Sequence, residues 1–345
     1  MAGPQLDAIL DKQHRNVLNG AVRNVLGTEL ALETCAQIAD GLPLARVAYD
    51  QYGRRREQGH PVSGHTSLCP GAEEIARDFL SGFAIDRLNF DDQLLQAYQS
   101  APPGHHSFHC RLIELVAVAV HKMAVLLFGQ GHRVHDKEPK NATSSIDIVS
   151  SWQSRLNREA LIPPPGPTLF EHVSYGARDQ YPDGVADAVG YWAENIILGG
   201  VVLFDRSEAW DDERTPEPNV YLHSDRDGVT FRVWQALDEQ QQALVDFLLS
   251  SSPVGTCPCP LAASDKNLTR INPEGATEKK VYRDIWEREP PNRRGGFGAR
   301  GLGGCIMRPL DYPKEALSKL ESCLKYYAAF QTPVREKGGV LENFA

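Results

Sequence analysis

The sequence predicts an α+β fold: a mostly helical N-terminal body, then a C-terminal half that combines helices with a small antiparallel three-stranded sheet. Two observations predict it. Before residue 163 the apolar residues recur with the helical period, whereas after residue 167 short alternating runs typical of strands appear. Between them, residues 163–167 are Pro-Pro-Pro-Gly-Pro, which excludes a helix and favours a stiff connector.

The predicted organisation is a helical region at 1–162, the connector at 163–167 and an α+β region at 168–345. One shared core is the alternative, because three short strands need other elements to cover their apolar face. In the first region the periodicity predicts helices near 5–25, 28–39, 43–57, 71–82, 90–99, 107–128 and 143–160.

The C-terminal half begins with a predicted helix near 183–196, which leads into a predicted strand at 201–206. Farther on, Asp238 and Gln241 have the spacing of a capping box and predict the start of another helix. A last helix is predicted near 313–329, where leucines recur on one helical face.

A hairpin is predicted around Asp225-Arg226-Asp227-Gly228, because an Asp-Gly pair between alternating runs is a strong turn signal. If these four residues form the turn, Tyr221 faces Arg232 and His223 faces Thr230. Strand alternation then assigns four apolar residues to the core: Val220, Leu222, Phe231 and Val233. The opposite face carries Tyr221, His223, Thr230, Arg232 and Trp234.

This polar sheet face is the first candidate site. His223 and Tyr221 could transfer protons, while Arg232 and Trp234 could hold an anionic small molecule. The alternative is a solvated sheet face, which antiparallel sheets commonly have.

The second candidate site lies on the predicted helix 107–128. Most of this helix is apolar, but Arg111, Glu114 and His121 fall on one narrow stripe, because three and seven residues are close to whole turns. Arg111 is a candidate substrate ligand, whereas Glu114 and His121 are candidate catalytic groups. A satisfied polar seam between helices is the alternative. Glu194, at a helix-to-strand junction, is a further candidate acid or base.

Metal binding is not expected from local motifs. Seven of the eleven histidines fall between residues 60 and 135, but the helix 107–128 separates those before it from those after it by roughly 30 Å. His132 and His135 could bind a metal locally with Asp136, and His60 or His65 could join either group. Cys257 and Cys259 resemble half of a thiolate site, although no second cysteine pair has zinc-finger spacing. We therefore expect no metal and no cofactor.

The segment 293–301 is rich in Gly and Arg and contains a formal G-x-G-x-x-G, but neither the strand nor the helix of a dinucleotide site flanks it. Arg300 could lie in a lid that closes over an anionic ligand. Alternatively, Arg293, Arg294 and Arg300 could contact RNA. A plain surface loop is the third interpretation.

The composition is that of an ordinary globular protein, with 41% hydrophobic and 23% charged residues. The first twenty residues lack an apolar segment typical of a signal peptide, and seven irregularly spaced cysteines favour reduced thiols, so a cytoplasmic location is expected. The apolar stretch 112–128 contains charged residues, so no membrane span is expected. A net charge of −9 argues against a surface that coats nucleic acid.

The function expected from these features is a cofactor-independent enzyme. It would use acid/base groups on a small polar or anionic metabolite, in a pocket between the sheet face and the helical body. The alternative is a non-catalytic binding protein that contacts RNA or a nucleotide through the loop 293–301.

Overall fold

The computed structural model describes residues 5–50, 62–137, 168–206, 219–226, 228–251, 257–284 and 287. The chain divides into two units, Met1–Cys305 and Ile306–Ala345, and every described residue belongs to the first. The predicted helices near 143–160 and 313–329, the connector 163–167 and the loop 293–301 lie outside the described residues.

The described N-terminal part is helical, as predicted. Its helices are α1 (Gln5–Ile9), α2 (Lys12–Leu26), α3 (Glu29–Asp40), α4 (Ala45–Ala48), α5 (Ala72–Ser81), α6 (Asp92–Ser100), α7 (His106–Gly129) and α8 (Val134–Lys137). The predicted helix 5–25 is two helices, because Asp11 is extended (ψ 167°) and its side chain caps α2 by accepting from the His14 N–H. The helix predicted near 43–57 is short: α4 ends at Ala48.

The described C-terminal part contains α9 (Val185–Leu198), α10 (Asp238–Leu249) and five strands. The strands are β1 (Val201–Asp205), β2 (Val220–His223), β3 (Val233–Gln235), β4 (Arg270–Ile271) and β5 (Val281–Tyr282). They form one antiparallel sheet in the order β4-β3-β2-β1-β5. The α+β class is confirmed, but the prediction of three strands is wrong. The two missed edge strands are too short to show an alternating pattern.

The register of β2 and β3 also differs from the predicted hairpin. Tyr221 pairs with Gln235 and Leu222 with Trp234, three residues away from the predicted pairing. An odd shift moves every side chain of a strand to the other face. Val233 therefore shares a face with Tyr221, and Trp234 lies on the opposite face with Leu222. The predicted four-residue turn is wrong because residues 224–232 separate the two strands.

Both faces of the sheet are buried. Val202, Phe204, Leu222 and Trp234 belong to the large core that includes apolar side chains of α2, α3, α7 and α9. Residues of the other face, such as Leu203 and Tyr221, form a second core with Tyr175, Tyr181 and Tyr191. Neither face is therefore the solvated surface that one interpretation expects.

The start of α10 differs from the predicted capping box. The N-cap residue is Leu237, and its backbone N–H donates to Oε1 of Gln240 at 3.0 Å. Gln240 also donates to the carbonyl of Ala262 at 2.9 Å. The Gln side chain that caps the helix is thus one residue earlier than predicted.

The segment His106–Asp136 has the length and hydropathy of a membrane span, with a mean hydropathy of 2.0 over its most apolar window. However, 67% of that window is buried inside the protein. Buried core helices have the same composition, so this segment is weak evidence for a membrane.

Gly199 provides a test of the junction between α9 and β1. Its φ is +97°, and a Cβ there would lie 2.0 Å from the carbonyl oxygen of Leu261. We expect Gly199→Ala to lower the free energy of unfolding by about 3 kcal/mol or more, because left-handed strain and a backbone clash add.

Gly104→Ala is the matched control for chemical denaturation. Gly104 also has a positive φ, +84°, but nothing lies within 4 Å of the position of its Cβ. Gly104→Ala should lower the free energy of unfolding by only about 1–2 kcal/mol, which is the cost of a left-handed backbone at a residue with a Cβ. Equal losses in the two variants would contradict the close contact at Leu261.

Candidate metal centre and buried ionic clusters

Four metal-ligating side chains meet in one place: Asp40, His65, Cys69 and His135. Each offers one ligand atom, and these atoms all lie within 4.8 Å of one another. Asp40 ends α3, His65 and Cys69 lie in the segment before α5, and His135 lies in α8. Only His65 and Cys69 are close in sequence, with three residues between them, and Asp40 and His135 lie far from them, which is why the sequence did not reveal the cluster.

Backbone contacts hold these segments together. Gly41 follows the last residue of α3 as its C-cap, and its φ of +98° turns the chain. The side chain of Gln37 then accepts from the N–H of Leu44 at 2.8 Å. The next residue, Ala45, donates its N–H to the carbonyl of His65 at 2.8 Å. The end of α3 and the segment that carries His65 are therefore fixed relative to each other.

The hydrogen bonds of His65 define how its ring presents a lone pair. Nδ1 lies 2.9 Å from the carbonyl oxygen of Pro43, which can only accept, so Nδ1 carries a proton. Nε2 lies 3.0 Å from Oδ2 of Asp40. If His65 is neutral, its Nε2 and the Oδ2 of Asp40 are both acceptors, and a cation between these two atoms would relieve their repulsion. A ring N–H that donates to a backbone carbonyl is the usual orientation of metal-binding histidines.

A second proton on His65 is the competing explanation for this contact. Burial alone lowers the pKa of His65, but the hydrogen bonds to Asp40 and Pro43 outweigh it and raise the pKa above its ordinary value. The pKa of Asp40 is lowered in turn by His65 and by the N–H of Cys69, against the effect of burial. An ion pair between Asp40 and His65 is therefore the alternative to a bound metal.

The carboxylate of Asp40 supports the metal interpretation. Asp40 is fully buried, and its Oδ2 accepts from the N–H of Cys69 at 2.9 Å. Within the described part of the chain, its Oδ1 is buried and has no hydrogen-bond partner. A buried carboxylate oxygen that is left unsatisfied is costly. A bound cation would satisfy it.

The remaining two ligands complete a mixed donor set. Sγ of Cys69 lies 3.6 Å from Nδ1 of His135, and the rings of His65 and His135 are 5.3 Å apart. His132 is elsewhere, with Nε2 3.1 Å from Oε1 of Gln130. The fold therefore combines His135 with His65 rather than with its neighbour in sequence.

Two of the predicted catalytic residues meet in a buried ionic cluster. Nδ1 of His121 lies 3.0 Å from Glu194, and its Nε2 lies 2.9 Å from Asp187. Arg283 donates from one nitrogen to both carboxylate oxygens of Glu194 at 2.8 Å. All four residues are buried. Asp187 and Arg283 are not predicted as site residues, because no local pattern marks the partners of a buried charge.

The other predicted members of the polar stripe lie in a separate ion-pair group. Glu114 accepts from Arg111 at 3.1 Å and also pairs with Arg206. These paired charges match the alternative interpretation of a satisfied polar seam between elements.

The predicted sheet-face site is not assembled as expected. His223 is buried and its Nδ1 lies 3.3 Å from the hydroxyl of Tyr175. Tyr221 is also buried, and Trp234 lies on the opposite face of the sheet. Arg232 is half-buried and lies just before the start of β3. Arg300 lies outside the described residues.

An apolar cavity of about 10 Å³ lies between α7, α9, α10 and the sheet, lined by side chains such as Ile113, Leu198 and Leu222. None of the predicted acid/base residues lines it. Sites for metabolites are typically 300 Å³ or more, roughly thirty times larger. This cavity is therefore a packing gap.

No family model matches the chain, and no curated protein or solved structure matches it. In the described residues, the cluster around Asp40 has the most specific chemistry.

The pH dependence of stability tests the cluster around His121. Burial by itself lowers the pKa of His121, but its hydrogen bonds to Asp187 and Glu194 raise it above the ordinary 6.5, and Arg283 opposes them. Since the folded-state pKa is raised, this stabilisation is complete below pH 6.5 and is lost as the pH rises through the folded-state value.

We therefore expect His121→Gln to flatten part of the decline in the free energy of unfolding above pH 6.5. The measurement is urea denaturation at several pH values, with the difference between wild type and variant as the readout. A difference that does not change with pH would show that His121 is neutral in the fold.

Gly190 tests the same cluster by packing. It lies inside α9, and a Cβ there would be 2.6 Å from Nε2 of His121. We expect Gly190→Ala to displace the imidazole of His121 from Asp187 and to lower the free energy of unfolding by about 3 kcal/mol. Gly20→Ala in α2, where nothing lies within 4 Å, should instead stabilise the protein by about 0.5–1 kcal/mol. Stabilisation by both variants in thermal or chemical denaturation would rule out the tight contact.

Proposed function

We propose that this protein binds one zinc ion, held by Asp40, His65, Cys69 and His135. The observation that carries the proposal is the convergence of four ligand atoms within 4.8 Å of one another. The orphaned oxygen of Asp40 and the fixed tautomer of His65 support it. This proposal replaces the expectation, drawn from sequence motifs, that no metal binds.

The donor set favours zinc over other common ions. Two imidazoles, a thiolate and a carboxylate suit a borderline ion such as Zn²⁺, whereas Mg²⁺ and Ca²⁺ prefer oxygen ligands throughout. Zinc bonds of about 2.0–2.3 Å place tetrahedral ligand atoms roughly 3.3–3.8 Å apart. The 3.6 Å between Cys69 Sγ and His135 Nδ1 fits this geometry. Nε2 of His65 and Oδ2 of Asp40, which are 3.0 Å apart, would have to move slightly farther apart to bind the ion.

Four protein ligands fill a tetrahedral shell, which is typical of a structural zinc site. The ion would join the end of α3, the segment before α5 and α8. Leu42, which follows α3, and Val62, in the segment before α5, belong to a small core with Ala48 and Leu169. Since the ligands come from separate segments, binding free energy would contribute directly to the stability of this corner.

The acid/base enzyme and the RNA-binding protein stay predictions. His121, Glu194 and Glu114 are engaged in buried ion pairs, so the enzyme hypothesis gains no substrate pocket from them. The RNA hypothesis concerns Arg293, Arg294 and Arg300, which lie outside the described residues.

Metal analysis of the purified full-length protein tests the proposal. We expect about one zinc per chain, and Co²⁺ in its place should give a thiolate-to-cobalt charge-transfer band because Cys69 is a ligand. Cys69→Ser should remove the band and His135→Ala should weaken metal retention strongly. His132→Ala is the matched control, because His132 lies in the same region but outside the cluster, and it should keep the zinc and the band.

Stability gives an independent readout. With free zinc at about 100 times its dissociation constant, wild type and His132→Ala should gain about 2.7 kcal/mol over the chelated protein. Cys69→Ser should gain much less. If the wild-type protein retains no metal and zinc leaves its denaturation midpoint unchanged, the contact between Asp40 and His65 is a simple ion pair and the proposal is wrong.

A further inference from the structure

One ligand of the zinc centre differs from the other three in exposure and in chemistry. Asp40, His65 and His135 are buried, whereas Cys69 is half-buried and forms no disulfide. A cysteine sulfur is oxidised stepwise by hydroperoxides, and its susceptibility rises with its thiolate character and its access to solvent. An oxidant that reaches this corner of the protein is therefore expected to react with Cys69 rather than with the carboxylate or the imidazoles.

The backbone of Cys69 is held on both sides of its Cα atom. Its N–H donates to Oδ2 of Asp40 at 2.9 Å. Its carbonyl accepts from the N–H of Ala72, the first residue of α5, at 3.2 Å. These bonds keep its sulfur in the cluster, 3.6 Å from Nδ1 of His135. An oxygen atom added to this sulfur must therefore be accommodated among the ligands of the ion.

Zinc would keep this sulfur in the form that reacts. A thiol must lose its proton to bind zinc, so Cys69 is a thiolate in the loaded protein. The thiolate, rather than the thiol, is the nucleophile. Cys35 and Cys110 are fully buried, and burial in apolar surroundings makes a cysteine inert. Cys69 thus combines thiolate character with partial exposure.

We propose that hydroperoxides release the zinc ion by oxidising Cys69, which makes the centre a reversible redox switch. This switch requires the zinc site proposed above. The thiolate attacks the terminal oxygen of the hydroperoxide, so that an S–O bond forms and the O–O bond breaks. The sulfur loses two electrons and becomes a sulfenic acid. The leaving oxygen takes a proton from solvent and becomes an alcohol, or water when the oxidant is hydrogen peroxide.

Oxidation removes the charge balance of the site. The carboxylate of Asp40 and the thiolate of Cys69 together neutralise Zn²⁺, because both histidines bind it as neutral rings. Once Cys69 is a neutral sulfenic acid, one positive charge of the ion is left uncompensated among buried groups, which is costly. The ion therefore leaves.

The empty site still has contacts for its buried carboxylate. Oδ2 of Asp40 accepts from the N–H of Cys69 at 2.9 Å and lies 3.0 Å from Nε2 of His65. Neither contact involves the sulfur atom, so both survive its oxidation. The protein is therefore expected to stay folded without the ion.

Small thiols reverse the reaction. One thiol displaces the hydroxyl of the sulfenic acid as water and forms a mixed disulfide with Cys69. A second thiol attacks the mixed disulfide, regenerates the thiol of Cys69 and leaves as part of a small disulfide. The restored side chain can then bind zinc again.

The experiment exposes the zinc-loaded full-length protein to hydrogen peroxide in the presence of a chromogenic zinc indicator. Zinc content is measured before peroxide is added, and in a parallel sample dimedone traps sulfenic acids, which peptide mapping then locates. We expect the release of about one zinc ion per chain, in step with dimedone labelling of Cys69. In a third sample without indicator or dimedone, removal of peroxide by catalase and addition of dithiothreitol should restore zinc binding.

Two variants separate Cys69 from the other thiols. Cys69→Asp supplies a zinc ligand of the same charge that forms no sulfenic acid. It should retain zinc and, in the same exposure, release about tenfold less of it than wild type. The matched control combines Cys257→Ser with Cys259→Ser, because these thiols are also half-buried but lie outside the cluster. It should release zinc as wild type does.

The first measurement distinguishes failure of the switch from failure of the zinc site. Zinc that stays bound under peroxide, or leaves while Cys69 remains unlabelled and another cysteine carries the label, would overturn the switch and leave the zinc site intact. A wild-type protein without zinc before treatment would overturn both. If Cys69→Asp binds zinc poorly, the labelled peptide of the wild type still decides which residue is oxidised.

Discussion

The fold depends on the burial of α9 on all sides. Every residue from Asp187 to Leu198 is buried, so the two carboxylates of this helix need partners within the protein. Asp187 and Glu194 hold His121 of α7 between them, and Arg283 neutralises Glu194 from the segment after β5. The same carboxylate also lies 3.4 Å from the N–H of Val202 in β1. The charges of one helix thus join α7, the sheet and the C-terminal part of the described chain.

Packing around α9 leaves little freedom. Gly190 lets the ring of His121 approach the helix backbone, and Gly199 lets the segment of Leu261 cross the end of the helix. Both positions would clash with a Cβ, although only Gly199 has a left-handed φ. The ionic cluster and the position of the segment around Leu261 therefore depend on two glycines in the same region.

The proposed zinc site is largely shielded from solvent. The zinc ligands lie at a corner where three helical elements and the segment 62–71 meet, with Asp40 fully buried and Cys69 half-buried. A charged carboxylate at that depth needs a cation, a proton or hydrogen bonds. This position suits structural support.

The predicted catalytic residues show that local sequence patterns identify the residues of one helix but not their partners on other elements. The stripe of Arg111, Glu114 and His121 follows from helical spacing. Their partners Arg206, Asp187 and Glu194 lie far away in the sequence. Only Glu194 was among the candidates, and it was found from its place at a junction rather than from its contact with His121.

The sequence by itself determined the helical character of the N-terminal part, the approximate positions of α9, α10 and the three longer strands, and the α+β class. These features follow from periodicity and from local turn and capping residues, which act over a few positions. Tertiary structure alone decided the register of β2 and β3, the two short edge strands and the assembly of Asp40, His65, Cys69 and His135. These depend on contacts between distant segments, and a shift of three residues in one hairpin was enough to exchange the faces of Val233 and Trp234.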